Sequence, residues 1–430
     1  MAKLIAFRPL DMLETELTSP EVTRSTSSVY EITSVSFVAI LYGNFTYDAS
    51  GNVLGRVTSF EGFLGGALWY RLTDIDEDAS FAAQELLSGD VWELQRSALS
   101  EVDEVYGSAG DDVILSFDSD DVVHAEQGDD HIFTGRGADI AHGGPGDDAF
   151  SDFPDGGPDQ YFGGKGEDIV YYDGPFGNYA FEVHRGEFRL TDVTTGMSDW
   201  DRLTSIESVY FFEEGGYDSD NLFNIGNFTG IAQLSAREIE TFVEMYIAYF
   251  NRAPDAPGLF YWGTRLNDGM SLPEIAASFF VQPESKAAFP NPDNNAALVD
   301  AAYWNLLERA PDAAGRQYWI DALAAGDVSR PEFMLALING ARANPDATQD
   351  VRTVEAKADI GIYYAVTNGL SDVDNAAAVM EGFERSDPGG SRLDAKQMID
   401  VFRADAMDGQ GEMEATMRLV GVVDDPFALI

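Results

Sequence analysis

The chain has 430 residues, of which 45% are hydrophobic and 12% aromatic, enough apolar material for more than one folded domain. Its 75 acidic residues outnumber 26 basic ones and give a formal charge of -49. This charge disfavours nucleic acid and anionic lipid as partners and favours multivalent cations or a salt-rich medium. The chain contains no cysteine, which excludes disulfide bonds and thiolate metal sites.

Residues 1–102 have the pattern of a β-rich domain. Alternating and β-branched stretches occupy Ser27–Phe37 and Val38–Tyr47, with turn signals at residues 48–51 and at Gly65 and Gly66. The pattern is typical of a small sandwich or sheet domain, and nothing in it indicates catalytic chemistry.

Seven nine-residue repeats follow between Gly107 and Tyr171, with two extra residues before the sixth. We call residues 107–171 the repeat block. Position eight of every repeat is apolar, and position four is glycine in all but the second repeat, which has Ser119. Position six is aspartate in every repeat, namely Asp112, Asp121, Asp130, Asp139, Asp148, Asp159 and Asp168.

Each feature of this register has a physical reason. Glycine permits the tight turns whose carbonyl groups point at a common centre, and inward position-eight side chains build a thin core when repeats stack. Aspartate supplies hard oxygen ligands, of which Ca²⁺ takes about six to eight, whereas Mg²⁺ tends to keep its waters. Zinc is disfavoured because the histidines do not form a consistent set of ligands: His124 and His142 share position nine, whereas His131 lies at position seven.

The repeat block therefore predicts several calcium ions held by the position-six aspartates and by turn glycines. A disordered acidic linker is the alternative, and the fixed register disfavours it. The candidate glycine ligands are Gly107, Gly110, Gly128, Gly137, Gly144, Gly146, Gly164 and Gly166.

These repeats resemble the repeat-in-toxin (RTX) family, whose pattern is GGxGxDxUx and whose units wind into a parallel β-roll with calcium between the turns. The resemblance implies a site between each repeat and the repeat two later, made by both aspartates and by turn carbonyls. Ser116, Phe117 and Ser119 depart from the pattern, as does the insertion before Pro154, and both weaken the expectation locally. Up to five calcium sites are implied, on the pairs Asp112/Asp130, Asp130/Asp148, Asp148/Asp168, Asp121/Asp139 and Asp139/Asp159.

The charge of the repeat block indicates when it folds. It contains 16 acidic residues and only two basic ones, Arg136 and Lys165, so compaction without a counter-ion is opposed. Metal binding then supplies folding free energy. Extracellular calcium sites have dissociation constants of about 10⁻⁴–10⁻³ M. We therefore expect a block that stays loose inside the cell and folds outside.

The resemblance also implies export from a Gram-negative bacterium by type I secretion machinery, guided by an uncleaved C-terminal signal. The N-terminal apolar patch is too short for a secretory signal peptide, and no apolar run approaches the roughly 18 residues of a transmembrane segment. Val420–Ile430 is expected to be that signal or an ordinary last helix. The expected location is extracellular or on the cell surface.

Strands return after the repeat block and helices dominate from residue 231. Tyr179–Arg185 and Glu187–Val193 flank a tight turn at Gly186, and Trp200–Phe212 follows; residues 172–230 are expected to cap the last repeat. Ser235 is a predicted helix N-cap with Glu238 three residues on. Further Ser-x-Pro-Glu helix starts occur at Ser271 and Ser329, the latter as Ser-Arg-Pro-Glu.

The helical half repeats a motif at an offset of 57 residues. Arg252, Pro254, Asp255, Gly258, Tyr261 and Trp262 recur as Arg309, Pro311, Asp312, Gly315, Tyr318 and Trp319. These residues resemble a helical domain of unknown function that often accompanies such repeats in secreted and surface-layer-like bacterial proteins. Their local pattern favours a structural role, with a sugar or peptide site as the alternative.

The sequence thus predicts a multidomain α+β protein. Its predicted parts are an N-terminal β domain (1–102), a calcium-dependent parallel β-roll (103–171), a β cap (172–230), a helical domain with two internal repeats (231–345) and a helical C-terminal region (346–430). The leading function is non-enzymatic calcium binding for adhesion, extracellular matrix or surface-layer assembly, through cell-surface polysaccharide or self-association. A secreted hydrolase or polysaccharide-modifying enzyme with a carboxylate site is the alternative. The sequence has no His-Glu-x-x-His, no Gly-x-Ser-x-Gly and no cysteine nucleophile, so the usual metalloprotease, lipase and cysteine-dependent enzymes are disfavoured and only paired carboxylates stay open as catalytic groups.

Overall fold

A computed structural model describes residues 2–8, 10, 12, 20–89, 91–152, 157–195, 200–212, 222–291, 293–344, 347–407 and 416–428. The chain divides into two compact units. The β unit comprises Met1–Phe176 and Arg189–Ile225, and the helical unit comprises Gly177–Phe188 and Gly226–Ile430. The first is built mainly from strands and the second mainly from helices, which confirms the predicted α+β composition.

Six strands open the β unit: β1 (Lys3–Ala6), β2 (Glu21–Ser25), β3 (Val29–Thr33), β4 (Phe37–Tyr47), β5 (Val53–Leu64) and β6 (Ala67–Asp78). From β2 to β6 each strand pairs antiparallel with the next, and β6 then pairs antiparallel with β1. The strands predicted at 27–37 and 38–47 are confirmed as β3 and β4. The predicted turn residues Gly51, Gly65 and Gly66 all have positive φ.

Two helices in the N-terminal region were not expected from the sequence: α1 (Ala79–Ser88) and α2 (Trp92–Ala98). The side chain of Asp78 caps α1 by accepting from the N–H groups of Ser80 and Phe81, both at 2.9 Å. Gly89 ends the helix in the left-handed conformation, with φ of 91°. Asp78 and Gly89 are residue types typical of helix N-caps and C-caps, so the sequence did contain an indication of α1 beside the stronger strand pattern.

The repeat block forms two ladders of parallel strands. Odd-numbered strands pair in one ladder and even-numbered strands in the other, so each repeat contributes to the ladder opposite its neighbour. The strands are β7 (Glu104–Tyr106), β8 (Val113–Leu115), β9 (Val122–His124), β10 (His131–Gly135), β11 (Ile140–Pro145), β12 (Ala149–Asp152), β13 (Gln160–Lys165) and β14 (Ile169–Asp173). As predicted, the position-eight side chains are fully buried: Ile114, Val123, Ile132, Ala141, Phe150, Tyr161 and Val170 are each 0% exposed.

Strands after the repeat block lengthen both ladders. The predicted Gly186 turn has φ of 80° and lies between β15 (Tyr179–His184) and β16 (Glu187–Asp192). Then β17 (Asp201–Thr204) pairs parallel with β13, and β18 (Ser208–Phe212) pairs parallel with β14. β19 (Leu222–Asn224) pairs antiparallel with β18 at the end of that ladder. Part of the region expected to cap the repeats therefore continues their winding by a further turn.

The described residues between Ala2 and Met12 close the opposite end of both ladders. β1 pairs parallel with β7, while Met12 N–H donates to the Val113 carbonyl at 3.1 Å beside β8. Leu4, Leu10 and Met12 are buried against the repeats. Because β1 also pairs with β6, the N-terminal strands and the odd-numbered ladder form one continuous sheet.

The helical unit contains α3 (Gly226–Thr229), α4 (Ala236–Phe250), α5 (Ala256–Asn267), α6 (Leu272–Phe280), α7 (Pro283–Ala288), α8 (Asn295–Leu307), α9 (Ala313–Ala325), α10 (Phe333–Ala343), α11 (Thr348–Ile362), α12 (Val373–Glu381) and α13 (Pro388–Ala406). The predicted capping boxes of Ser235 with Glu238 and of Ser271 with Glu274 are confirmed. The helix expected from Ser329 begins only at Phe333.

The first copy of the repeated helical motif holds a helix start in place. Asp255 caps α5 by accepting from Gly258 N–H at 2.9 Å. Arg252, 7% exposed in its side chain, pairs with Asp255 at 3.0 Å and with Glu284 at 2.6 Å. Its guanidinium also lies over the ring of Tyr246, 5.6 Å from the centroid.

The second copy makes corresponding contacts. Asp312 caps α9 by accepting from Gly315 N–H at 2.8 Å, and Arg309 pairs with Asp350 at 2.6 Å. The guanidinium of Arg309 lies 5.1 Å from the ring centroid of Tyr303. In both copies the charged side chains are used by the fold, which favours the structural interpretation over a ligand site.

The C-terminal region departs from the expected all-helical structure. A π-helical turn spans Tyr363–Thr367, and β20 (Thr416–Leu419) pairs parallel with β15. Met417 and Leu419 are two residues apart and both buried, as expected for side chains on one face of a strand. Of the proposed secretion tail, residues 420–428 form bends and turns rather than a last helix, and 429–430 lie outside the described residues. No helix among the described residues is long and apolar enough to cross a membrane.

Candidate metal sites in the repeat ladders

The position-six aspartates stack in two columns, one along each ladder. Within a column the backbone N–H of one aspartate donates to Oδ1 of the aspartate in the following turn. All five predicted pairs are joined in this way: Asp112/Asp130 at 2.7 Å, Asp121/Asp139 at 2.7 Å, Asp139/Asp159 at 2.8 Å, Asp130/Asp148 at 2.9 Å and Asp148/Asp168 at 2.9 Å. The sequence register thus places every predicted pair side by side.

The columns are longer than the sequence analysis foresaw. Asp103 N–H donates to Asp121 at 2.7 Å, and Asp159 N–H donates to Asp201 at 2.9 Å. Glu207 occupies the next place in the other column and accepts from Asp168 N–H at 2.8 Å. The sequences Asp103-x-Val and Asp201-x-Leu keep the position-six and position-eight residues. They went unrecognised because the glycines are absent and a hairpin intervenes before Asp201.

The columns bury carboxylate oxygens that the protein does not satisfy. The seven repeat aspartates are between 0% and 3% exposed. Their Oδ1 atoms accept from backbone N–H groups, but several Oδ2 atoms are buried with no hydrogen-bond donor in the described chain, namely those of Asp103, Asp121, Asp130, Asp148 and Asp168. A buried carboxylate oxygen without a partner is costly, so these positions suit a bound cation.

The electrostatics of the columns lead to the same conclusion. Burial raises the pKa of Asp121 to about 9, that of Asp130 to about 7, and those of Asp103 and Asp168 to about 6. Burial also raises the pKa of Asp112 and of Asp148. The backbone N–H donors oppose the rise, but the loss of hydration outweighs them. Without a cation, the folded columns therefore favour protonated carboxyl groups.

In three repeats the carboxylate lies where a Cβ atom of the position-one residue would stand. A Cβ atom on Gly143 would lie 2.2 Å from Oδ2 of Asp148, and one on Gly163 would lie 2.3 Å from Oδ2 of Asp168. A Cβ on Gly107 would lie 2.8 Å from Oδ2 of Asp112. Position-one glycine in these three repeats therefore makes room for the carboxylate of its own repeat. Gly107 was predicted as a calcium ligand, whereas Gly143 and Gly163 were not among the predicted residues.

The donor set suits calcium better than zinc. Among the described residues, no three histidine, aspartate or glutamate side chains converge on one metal position. A site between two turns would take one carboxylate from each turn together with backbone carbonyl oxygens, which Ca²⁺ accepts readily and Zn²⁺ does not. His124 and His142 do not join the columns, because their rings stack on each other at 4.9 Å.

Two members of the columns are already satisfied without a metal. Oδ2 of Asp112 accepts from Ser108 N–H at 2.6 Å, and its Oδ1 accepts from Leu10 N–H. Oδ2 of Asp159 accepts from the Tyr161 hydroxyl at 2.7 Å and from Thr134 at 3.2 Å. These contacts lie at the start of one column and next to the insertion before Pro154; residues 153–156 lie outside the described chain.

The turns stack so closely at Gly146 that a side chain there would collide with the preceding turn. A Cβ on Gly146, where φ is 152°, would lie 1.7 Å from the carbonyl oxygen of Gly128. Gly146→Ala is expected to abolish ordering of this turn by calcium, measured by circular dichroism against calcium concentration. Gly66→Ala is the control: φ there is 80° and nothing lies within 4 Å, so it should cost only about 1 kcal/mol. Equal losses in both variants would contradict the stacking argument.

Comparisons with known families agree with this geometry. Residues 99–132 and 116–150 match the model of the RTX calcium-binding nonapeptide repeat (4 copies). Residues 276–343 match the model of a domain of unknown function, DUF4214, and include the second copy of the helical motif. No curated protein matches the chain. The chain therefore contains RTX-type nonapeptide repeats and, in its helical half, a DUF4214 domain, and such repeats indicate a calcium-binding, typically secreted protein.

Proposed function

We propose that this chain is a secreted calcium-binding protein whose ladders are a parallel β-roll that folds in extracellular calcium. The observation that carries the proposal is the pair of carboxylate columns, buried and stacked turn on turn with unpartnered oxygens. A buried charge without a partner is unstable, and a divalent cation between turns would neutralise two carboxylates at once.

The contacts of the columns support some sites more than others. Asp121, Asp130, Asp148 and Asp168 each combine burial, a stacked neighbour and an Oδ2 atom without a donor. The pairs Asp130/Asp148 and Asp148/Asp168 are thus the strongest candidates. We propose calcium there first, and up to five ions over the whole block, with turn carbonyls such as those of Gly128, Gly146 and Gly166 completing each shell.

A calcium titration tests the proposal directly. The full chain, stripped of divalent ions, should gain β signal in far-ultraviolet circular dichroism, with a midpoint of about 10⁻⁴–10⁻³ M calcium. Magnesium at the same concentration is the control and should have little effect, because it binds all-protein oxygen cages poorly. A flat calcium titration would defeat the proposal.

The place of action follows from the same coupling. A block that needs about millimolar calcium stays unfolded where free calcium is scarce and folds where it is abundant, which suits passage through type I secretion machinery of a Gram-negative bacterium. The charge of -49 further supports a protein that acts among cations at the cell surface. Adhesion, matrix or surface-layer assembly is the biological role we propose.

A further inference from the structure

A small cavity beside the second repeat has the composition of a ligand site. Its volume is about 310 Å³, and its walls include three aromatic rings and three charged side chains. These are Trp92 from α2, Phe117 and Asp118 from the turn of the second repeat, Phe133 from β10, and the arginines Arg96 and Arg136. All of these residues belong to the β unit.

Phe117 occupies a position where a large side chain is strained. It stands at position two of its repeat with φ of 75°, whereas the same position one turn on is Gly135 with φ of 81°. Arg136 N–H donates to the Phe117 carbonyl at 2.7 Å, so the turn keeps the stacked shape of its neighbours. A side chain in this conformation costs roughly 1–2 kcal/mol, a cost that Glu126 also carries at position two of the third repeat with φ of 81°, so the role of phenylalanine here has to be read from its contacts.

The phenylalanine ring is instead used to build the cavity wall. It meets the ring of Trp92 edge-to-face, with centroids 5.1 Å apart and an angle of 72° between the planes. The two rings come from different parts of the chain, a helix and a repeat turn. Both are half-buried and leave part of their surface facing the cavity.

The charge at the cavity is unlike that of the rest of the chain. Two guanidinium groups lie at it, although acidic residues outnumber basic ones by 75 to 26. Arg96 has a loose pair with Glu93 at 3.9 Å, and both side chains are about half-exposed. Arg136 is exposed and forms no ion pair within the described chain. Its backbone forms an isolated parallel β-bridge with the backbone of Asp118.

We propose that this cavity binds an acidic sugar, a hexuronate unit of a polysaccharide. The apolar face of the sugar ring would pack against Trp92 and Phe117, and Arg136 with Arg96 would hold its carboxylate, a group that guanidinium matches in geometry. Asp118 accepts hydrogen bonds from sugar hydroxyls, whereas it would repel a ligand bearing a second carboxylate nearby. The volume is at the small end of ligand pockets and suits one or two sugar residues.

The site depends on the folded repeat block, because Phe117 and Arg136 lie in its turns; the inference therefore rests on the proposed calcium-dependent folding. The long-range charge of -49 opposes approach of an anion. At 0.15 M salt the screening length is about 8 Å, so the local arginines dominate at the cavity.

Binding is tested on the full chain in calcium and 0.15 M NaCl by saturation-transfer NMR titration. The probe is methyl glucuronide, and methyl glucoside is its neutral counterpart. We expect the glucuronide to bind at least tenfold more tightly. Equal binding of the two sugars, or preference for N-acetylphenylalanine over the glucuronide, would overturn the inference.

Two variants locate the site. Arg136→Gln removes the carboxylate partner, and Phe117→Gly removes a wall while relieving the positive φ, so its fold should be kept. Each should weaken glucuronide binding about tenfold, whereas Arg24→Gln on the exposed strand β2 should not change it. A chain that folds in calcium, by circular dichroism, yet binds no glucuronide would refute this inference alone; a flat calcium titration would refute the proposed function itself.

Discussion

Asp130→Asn is expected to raise the calcium midpoint of folding by about tenfold to 100-fold, the range seen when a metal's ligand shell is disturbed. Asp130 belongs to two proposed sites, since its Oδ1 accepts from Asp112 N–H and its own N–H donates to Asp148. Asparagine keeps the shape but replaces the charge, and its amide group would occupy the place of the unpartnered Oδ2 atom.

The neighbouring residue provides a matched control. Asp129 is exposed, carries the same charge and makes the same kind of contact, accepting from Asp147 N–H at 2.9 Å. Asp129→Asn should move the calcium midpoint less than twofold, because an exposed carboxylate is already solvated. If both variants shifted the midpoint alike, calcium would be acting on total charge rather than at a defined site.

The same substitution should act in the opposite direction without calcium. Burial raises the pKa of Asp130 to about 7, so a charged carboxylate there destabilises the metal-free fold at alkaline pH. A neutral amide removes that cost. We therefore expect Asp130→Asn to melt at higher temperature than the parent protein at pH 8 in calcium-free buffer, while gaining less from added calcium.

Acidification is expected to replace calcium in part. The folded pKa values are about 6 for Asp103 and Asp168, 7 for Asp130 and 9 for Asp121, all above the unfolded value of roughly 3.9. The folded state therefore binds more protons, and this stabilisation is fully present below about pH 4 and is lost as the pH rises through 6, 7 and 9. In calcium-free buffer the melting temperature of the β unit should rise from pH 8 to pH 5.

Saturating calcium should reverse that trend, because protons then compete with the metal for the same carboxylates. Melting temperatures measured by calorimetry from pH 5 to 8 should therefore have opposite slopes with and without calcium. The calcium-free buffer is best prepared with a chelating resin, since soluble chelators lose affinity on acidification. Parallel slopes in the two conditions would rule out the columns as the binding groups.

The parts of the fold that the sequence predicted are those with periodic side chains. Aspartate at position six and an apolar residue at position eight recur in every repeat, and those two positions determine which carboxylates stack and which side chains are buried. The capping boxes at Ser235 and Ser271 were equally predictable, because their side chains make the defining hydrogen bonds.

The parts that were missed depend on backbone groups or on distant partners. The N–H of Leu10 donates to Asp112, an interaction that any residue except proline could make. The contact of Leu10 with the first repeat therefore has no sequence signature. β20 is a strand because β15 lies beside it, although nearly 240 residues separate the two in sequence, as in the Arg418–Glu182 pair. Asp159 likewise accepts from Thr134, which lies 25 residues away in sequence, so no local pattern marks that partner.

On the proposed function, the position of β1 would make calcium a mechanical variable as well as a folding ligand. Strand β1 is hydrogen-bonded to β6 on one side and to β7 on the other, so the N-terminal sheet is joined to the repeats through strand pairing. A pulling force on β2–β6 would pass into the ladders through backbone hydrogen bonds loaded in shear. The extensibility of this part of the chain, and hence any tension it bears between two anchored points, would then be set by the calcium concentration of the medium.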